Sequence, residues 1–156
     1  MDRKISTMCS KCRERTVALV TIPYQIQIDH DGRKHQVSIP DLNVARCAKC
    51  GELYFDHESS EQVSRAFRKQ VGLLQPAEIR QQRERLALSQ ETFAEMLGVE
   101  PCEIKRWENS EQIQPRHVDR FLRAFFLLPD LRTVLAQKDT IPLMLSDEKP
   151  ALSTVM

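Results

Sequence analysis

The sequence predicts an α+β chain, a small metal-stapled antiparallel β domain followed by an all-α domain built around a helix-turn-helix. Three observations carry this. Two C-x2-C pairs bracket a stretch whose apolar residues recur at every second position. After residue 58 the apolar spacing changes to the threes and fours of helices. Within that half, Leu86–Ser110 has start and stop signals for two short helices joined by a tight turn.

At 156 residues the chain holds one ordinary domain or two small ones. Its 41% hydrophobic and 29% charged composition suits a soluble globular protein. No apolar run reaches the roughly 20 residues of a membrane span. The start, MDRKISTMCSKC, lacks the apolar core of a secretory signal. A cytoplasmic, non-membrane protein is expected, with cysteines reduced and free to bind metal.

Cys9-Ser-Lys-Cys12 and Cys47-Ala-Lys-Cys50 are separated by 34 residues. Each pair suits a knuckle that aims two thiolates at one ion, and two knuckles complete the tetrahedral set preferred by structural zinc. One C-x-x-C alone would be ambiguous with redox motifs. Lys11 and Lys49 can offset thiolate charge, and Gly51 permits a turn. Structural Zn2+ on Cys9, Cys12, Cys47 and Cys50 is the expected cofactor. His57 follows the second knuckle and reads as a surface residue; position 61 holds Glu61 rather than the second histidine of a zinc-protease motif.

Between the knuckles Val17, Leu19 and Thr21 alternate, as do Tyr24, Ile26 and Ile28, then Val37 and Ile39. His30–Lys34, HDGRK, is a hairpin signal because Asp-Gly tolerates the positive φ of tight turns. The β domain is assigned to residues 1–58. So small a body buries little apolar surface, and structural zinc can supply about 10 kcal/mol or more of its folding energy.

Residues 59–75 form a connecting helix or linker. Its helical pattern starts at Ser59 or Ser60 and carries Val63, Ala66, Phe67 and Val71, with Arg65, Arg68 and Lys69 on other faces. Gln75-Pro76 marks a boundary. Residues 76–137 form the all-α domain. Its first helix covers Ala77–Ala87, with Ile79, Arg83 and Leu86 spaced for packing.

Ser89 then caps a helix with Glu91 near its positive end and Phe93, Met96 and Leu97 on one face. Gly98 supplies the left-handed residue that ends it, and Pro101 fits the first position of the next helix. Ile104 and Trp107 give that second helix its apolar stripe. In a helix-turn-helix the second helix lies in the DNA major groove. Any helical hairpin of a bundle shares part of this pattern.

Pro115 starts a helix with Val118, Phe121, Leu122, Phe125 and Phe126, and Pro129 a last one with Leu131, Val134 and Leu135. That apolar supply exceeds one small core and predicts a homodimer face as well. Residues 138–156 read as a polar tail, flexible or ordered on binding.

Net charge is +1. Residues 1–75 hold 12 Lys/Arg and 9 Asp/Glu, whereas residues 76–137 hold 9 and 10. Phosphate neutralisation supplies much of DNA affinity, so charge must be segregated by face or doubled by a second copy. No paired catalytic carboxylates, phosphate loop or nucleophile–histidine arrangement stands out, and 4 glycines make a phosphate-cradling loop a poor fit. The chain reads as a non-enzyme.

The run LALSQETFAEMLGVEPCEIKRWEN, Leu86–Asn109, resembles the phage-repressor (Xre-type) helix-turn-helix. With the two knuckles, TIPY (Thr21–Tyr24), GRK (Gly32–Lys34) and the helix after the second knuckle, the chain resembles the MqsA-type (YgiT-type zinc-finger) antitoxins over about residues 9–136. The resemblance implies a zinc domain that binds a protein toxin, and a C-terminal domain that dimerises on a palindrome in the operon's own promoter.

By that likeness Gln90, after the cap Ser89, contacts a phosphate, and Glu108-Asn109 end the reading helix. Pro101, Cys102, Glu103, Lys105 and Arg106 lie on the DNA side of that helix. Cys102 and Arg106 take base-reading positions, where Arg can pair bidentately with guanine. Lys105 would contact phosphate, while Glu103 would read cytosine, pair with a cation, or repel the backbone. Cys102 can touch a thymine methyl, or be an inert or redox-sensing thiol. Ser110 replaces the family's usual Gly, so the turn leaving the helix can differ; the N-terminal extension, the longer inter-knuckle loop and the tail depart too. The competing function is a stand-alone zinc-containing helix-turn-helix regulator without a toxin.

Overall fold

The computed structural model describes residues 8–137; the N-terminal extension and the expected tail, 138–156, lie outside the described residues. The N-terminal half is a three-stranded antiparallel sheet in the order β1-β2-β3, with β1 Val17–His30, β2 Arg33–Cys47 and β3 Leu53–Tyr54. Asp31 (φ 50°) and Gly32 (φ 72°) form the two-residue turn between the paired residues His30 and Arg33. Two consecutive positive φ angles match the twist of the strands they join.

The long hairpin contains a bulge. Ile22 pairs with Leu42 and Tyr24 with Ile39, so β2 carries one extra residue opposite Pro23. Pro23 and Pro40 both fall there, where a missing N–H costs no regular ladder bond. The extra residue flips the phase of β2: Val37 and Ile39 before it, and Leu42 and Val44 after it, all enter one core.

On β1 the alternation runs on unbroken, and Val20, Ile22, Tyr24, Ile26 and Ile28 pack against that core. The expected set Val17, Leu19, Thr21 is therefore the opposite face. Val17 is buried against the cysteines, and exposed Thr21 donates to Asn43 Oδ1 at 2.7 Å. The run VALVTI is apolar in both phases, so only the partner strand decides which phase faces the helix.

Helix α1, His57–Val71, begins earlier than the expected Ser59 or Ser60. Asp56 is the cap, accepting from the Ser59 N–H at 2.8 Å, while Ser59 Oγ accepts from the Asp56 N–H at 2.8 Å. Phe67 is fully buried on the sheet with Val63, Ala66 and Val71 around it. The connecting segment is thus a helix packed on the sheet, and burial of its aromatic contributes about 1.5–3 kcal/mol.

Among the described residues five helices follow: α2 (Pro76–Arg85), α3 (Gln90–Leu97), α4 (Pro101–Glu108), α5 (Arg116–Leu127) and α6 (Pro129–Leu135). Ser89 caps α3 through the Thr92 N–H at 3.0 Å, Gly98 ends it at φ 70°, and Pro101 opens α4. Ile79, Phe93, Ala94, Ile104, Trp107, Leu122 and Phe125 form the shared core. Phe93 sits against Phe125 and Phe126 with ring centroids 5.3 and 5.7 Å away. Of the apolar residues expected on α5 and α6, Val118, Phe126 and Leu135 pack partly buried against this core and Val134 is exposed, while Leu127 and Leu128 lie outside it, 76% and 53% exposed.

A buried polar network joins the halves. Arg68, expected on an outer face of α1, is fully buried, and its guanidinium donates to Gln112 O at 2.9 Å, Ser110 Oγ at 3.3 Å, Gln114 Oε1 at 3.4 Å and Ser64 Oγ. No carboxylate forms an ion pair with it among the described residues. Burial lowers its pKa to about 10, which leaves it charged at neutral pH. Gln114 passes the connection to Leu74 O and Asp119. Ser110 adopts the left-handed conformation (φ 64°) that glycine takes most readily, so the turn after α4 has a positive-φ residue without glycine.

Candidate functional site

The four cysteines converge at the end of the sheet opposite the hairpin tip. Their Sγ atoms all lie within 4.8 Å of one another. Cys9–Cys50 and Cys12–Cys47 are 3.5 and 3.6 Å apart, too far for disulfides. A tetrahedron with zinc–sulfur bonds of about 2.3 Å has edges of about 3.8 Å, so these separations suit a four-thiolate ion site. His57 is exposed at the start of α1 and outside the cluster.

The two knuckles repeat the same local geometry. Cys9 O accepts from the Arg13 N–H and Cys47 O from the Gly51 N–H, both at 2.9 Å. The Cys9 N–H donates to Glu14 O and the Cys47 N–H to Glu52 O. Gly51 (φ 74°) supplies the expected left-handed residue, and Arg13 (φ 61°) does the same without glycine's freedom. Cross-pairs complete the twofold pattern: Lys11 reaches Glu52 at 2.8 Å and Lys49 reaches Glu14 at 2.5 Å. The lysines therefore tie one knuckle to the other, and their charge toward the sulfurs is shared with carboxylates.

Without an ion the thiols share protons. The Thr16 hydroxyl, 3.2 Å away, leads the effects that pull Cys47 down to about 6. Cys12 is pushed up to about 12: the Glu14 amide lowers it, but burial and the three neighbouring sulfurs outweigh that. Cys9 is lowered, first by the Cys12 amide and then by Tyr54, whose hydroxyl lies 3.1 Å from its sulfur, while Cys50 is raised. Each close pair thus holds one thiol whose acidity rises and one whose acidity falls. A divalent cation removes this conflict, so the donor set fits a metal.

At the other functional stretch, Ile104 and Trp107 of α4 point into the core, and Pro101, Cys102, Lys105 and Arg106 are exposed. The side chains of Lys105 and Arg106 have no ion-pair or hydrogen-bond partner among the described residues. Glu103 is half-buried and accepts from the Glu100 N–H at 3.2 Å, so its carboxylate closes the first turn of its own helix. Ser89 and Gln90 sit at the start of α3, and Gln90 Nε2 donates to Glu108 Oε2 at 2.8 Å. One amide hydrogen of Gln90 remains for an outside acceptor.

Glu108 anchors α4. Its fully buried carboxylate takes Arg83 Nε at 2.6 Å and Arg83 Nη2 at 3.0 Å, with Arg80 Nε 3.7 Å away. The hydrogen bond to Glu108 raises the Arg83 pKa. Arg80 also donates to Glu108 O and Asn109 Oδ1. Sequence reading gave Arg83 a packing position but missed its partner, and it missed Thr16 and Tyr54 beside the sulfurs. An arginine on the apolar stripe of α2 was the available signal for a buried acid. Nothing local marked Tyr54, which arrives through the two-residue strand β3.

Among the described residues no helix is long and apolar enough to cross a membrane. No curated protein matches the chain. The model of one protein family, described as the antitoxin component of bacterial toxin-antitoxin system, MqsA, matches residues 7–135. That span takes in both knuckles, the sheet and helices α1–α6, so the chain belongs to the MqsA antitoxin family.

Proposed function

We propose that the chain is a cytoplasmic, zinc-containing, DNA-binding autorepressor, the antitoxin of a toxin–antitoxin pair whose toxin is held by the N-terminal half. The observation that carries this is α4, which presents exposed, unpartnered Lys105 and Arg106 beside Cys102 while Ile104, Trp107 and Glu108 fix it to the body. A short rigid helix with one face anchored and a cationic face outward is the arrangement that enters a major groove.

In this reading Arg106 and Cys102 face bases, Lys105 and Gln90 meet phosphates, and Ser89, Pro101 and Glu103 hold the two helix starts in place. Zinc on Cys9, Cys12, Cys47 and Cys50 is structural, since four thiolates leave no open coordination position. A second copy doubles the phosphate contacts that net charge +1 does not supply alone. Exposed Leu127, Leu128 and Val134 suit such a homodimer. Two copies would address half-sites of a palindrome about 34 Å apart. The functional division then falls at residues 1–58, 59–75 and 76–137.

The test is fluorescence anisotropy of the zinc-loaded chain on a duplex from its own upstream region and on a scrambled duplex. Preference for the upstream duplex supports repression. Equal binding to both, or none at low salt, contradicts it.

A further inference from the structure

We propose that the cleft between the β1–β2 hairpin tip and the first turns of α5 is a binding site for a phosphate group. The cleft, about 480 Å³, is lined by His30, Asp31, Arg33, His35, Arg116 and Arg120, together with His117. Three arginines and three histidines face one space in a chain whose net charge is only +1, so this is local segregation of charge. The side chains of Arg33, His117 and Arg120 form no ion pair or hydrogen bond among the described residues. Arg116 reaches only Val71 O, at 3.5 Å.

The one acid in the lining is already engaged. Asp31 Oδ2 accepts from the Arg116 backbone N–H at 2.7 Å, which fastens the hairpin tip to the start of α5. It also lies 3.3 Å from His30 Nε2, a buried atom that has no hydrogen-bond partner. The rings of His30 and His35 rest edge-on against Phe67, with centroids 5.2 and 5.5 Å away, so the floor of the cleft is held by the sheet core. The positive end of the twelve-residue α5 adds to the same potential.

Arginine forks match the oxygens of a phosphate, and histidines supply further donors in a small space. Because the walls come from both halves of the chain, an occupied cleft clamps the hairpin tip to α5. The same chemistry has two sources, a free or terminal phosphate and a backbone phosphate of duplex DNA. Only the second rests on the DNA-binding reading.

The experiment uses the full zinc-loaded chain and the double variant Arg33→Ser/Arg120→Ser, with zinc content and circular dichroism confirming that both are folded. Inorganic phosphate is titrated by calorimetry at constant ionic strength. Duplex binding is measured in parallel across a salt series. Saturable phosphate binding, weakened about tenfold or more in the variant, establishes the site for free phosphate. An affinity loss shared by upstream and scrambled duplexes, with a salt slope lower by about one or two, assigns it to backbone phosphate. Variant and wild type alike in both arms overturn the proposal. Failure of the chain to bind DNA leaves the phosphate titration intact, so the two ideas fail separately. Arg33→Lys/Arg120→Lys should keep part of the affinity, because charge survives and the fork does not.

Discussion

Replacing Arg83 by methionine should cost this fold about 3–5 kcal/mol, because it leaves the Glu108 carboxylate buried without its main partner. Glu108 would keep the Gln90 amide at 2.8 Å and the half-exposed Arg80 at 3.7 Å, which places the loss toward the lower end of the range. Glu108→Leu alone leaves the Arg83 guanidinium without its main partner, keeping Leu88 O at 2.8 Å, Glu84 at 3.7 Å and the weaker attraction of Glu91. The double variant Arg83→Met/Glu108→Leu removes both charges and should cost less than the sum of the singles by about 2 kcal/mol. Urea unfolding of the zinc-loaded chain at pH 7 measures all four corners of the cycle. A cost below about 1 kcal/mol for Arg83→Met, the value of an exposed pair, would refute the view that this ion pair fastens α4 to α2.

Cys50→Ser should abolish stoichiometric zinc and open the sheet to protease while α2–α5 stay protected. Retained zinc would count against four-thiolate ligation. Tyr54→Phe deletes the hydroxyl 3.1 Å from Cys9 Sγ and should lower zinc affinity about tenfold, measured by chelator competition. Unchanged affinity would make that hydroxyl a bystander. Cys12 and Cys50 are raised in the metal-free cluster and must lose their protons to bind an ion. Zinc uptake at pH 7 should therefore release protons, seen with an indicator dye, and affinity should fall as pH falls. Proton-neutral uptake would contradict that sign.

The cysteine cluster and the α3–α4 pair were legible because each is written in local chemistry. Two C-x2-C pairs set ligand number and spacing, and Ser89, Gly98 and Pro101 mark helix ends by their own side chains or backbone freedom. What stayed hidden depends on distant partners. The phase at Leu19 and Thr21 follows from the unbroken alternation of β1 through Pro23, which the extra residue on β2 accommodates, and an isolated apolar run carries no trace of either. Arg68 is an ordinary basic residue of an amphipathic helix until Ser110, Gln112 and Gln114 arrive more than 40 residues later. Lys11 and Lys49 feel the sulfurs as expected, but their ion pairs, which the sequence does not announce, are with acids of the opposite knuckle. Ser110 takes a left-handed backbone conformation that its own residue type does not announce.

Arg106→Ala, measured by anisotropy on the upstream duplex and on a scrambled one, asks whether α4 reads sequence. Loss of a bidentate guanine contact should weaken the upstream complex by about 1–3 kcal/mol, roughly 5- to 150-fold, and leave the scrambled complex much closer to wild type. An equal loss on both duplexes would reduce Arg106 to a phosphate contact, and no loss on either would remove α4 from the groove.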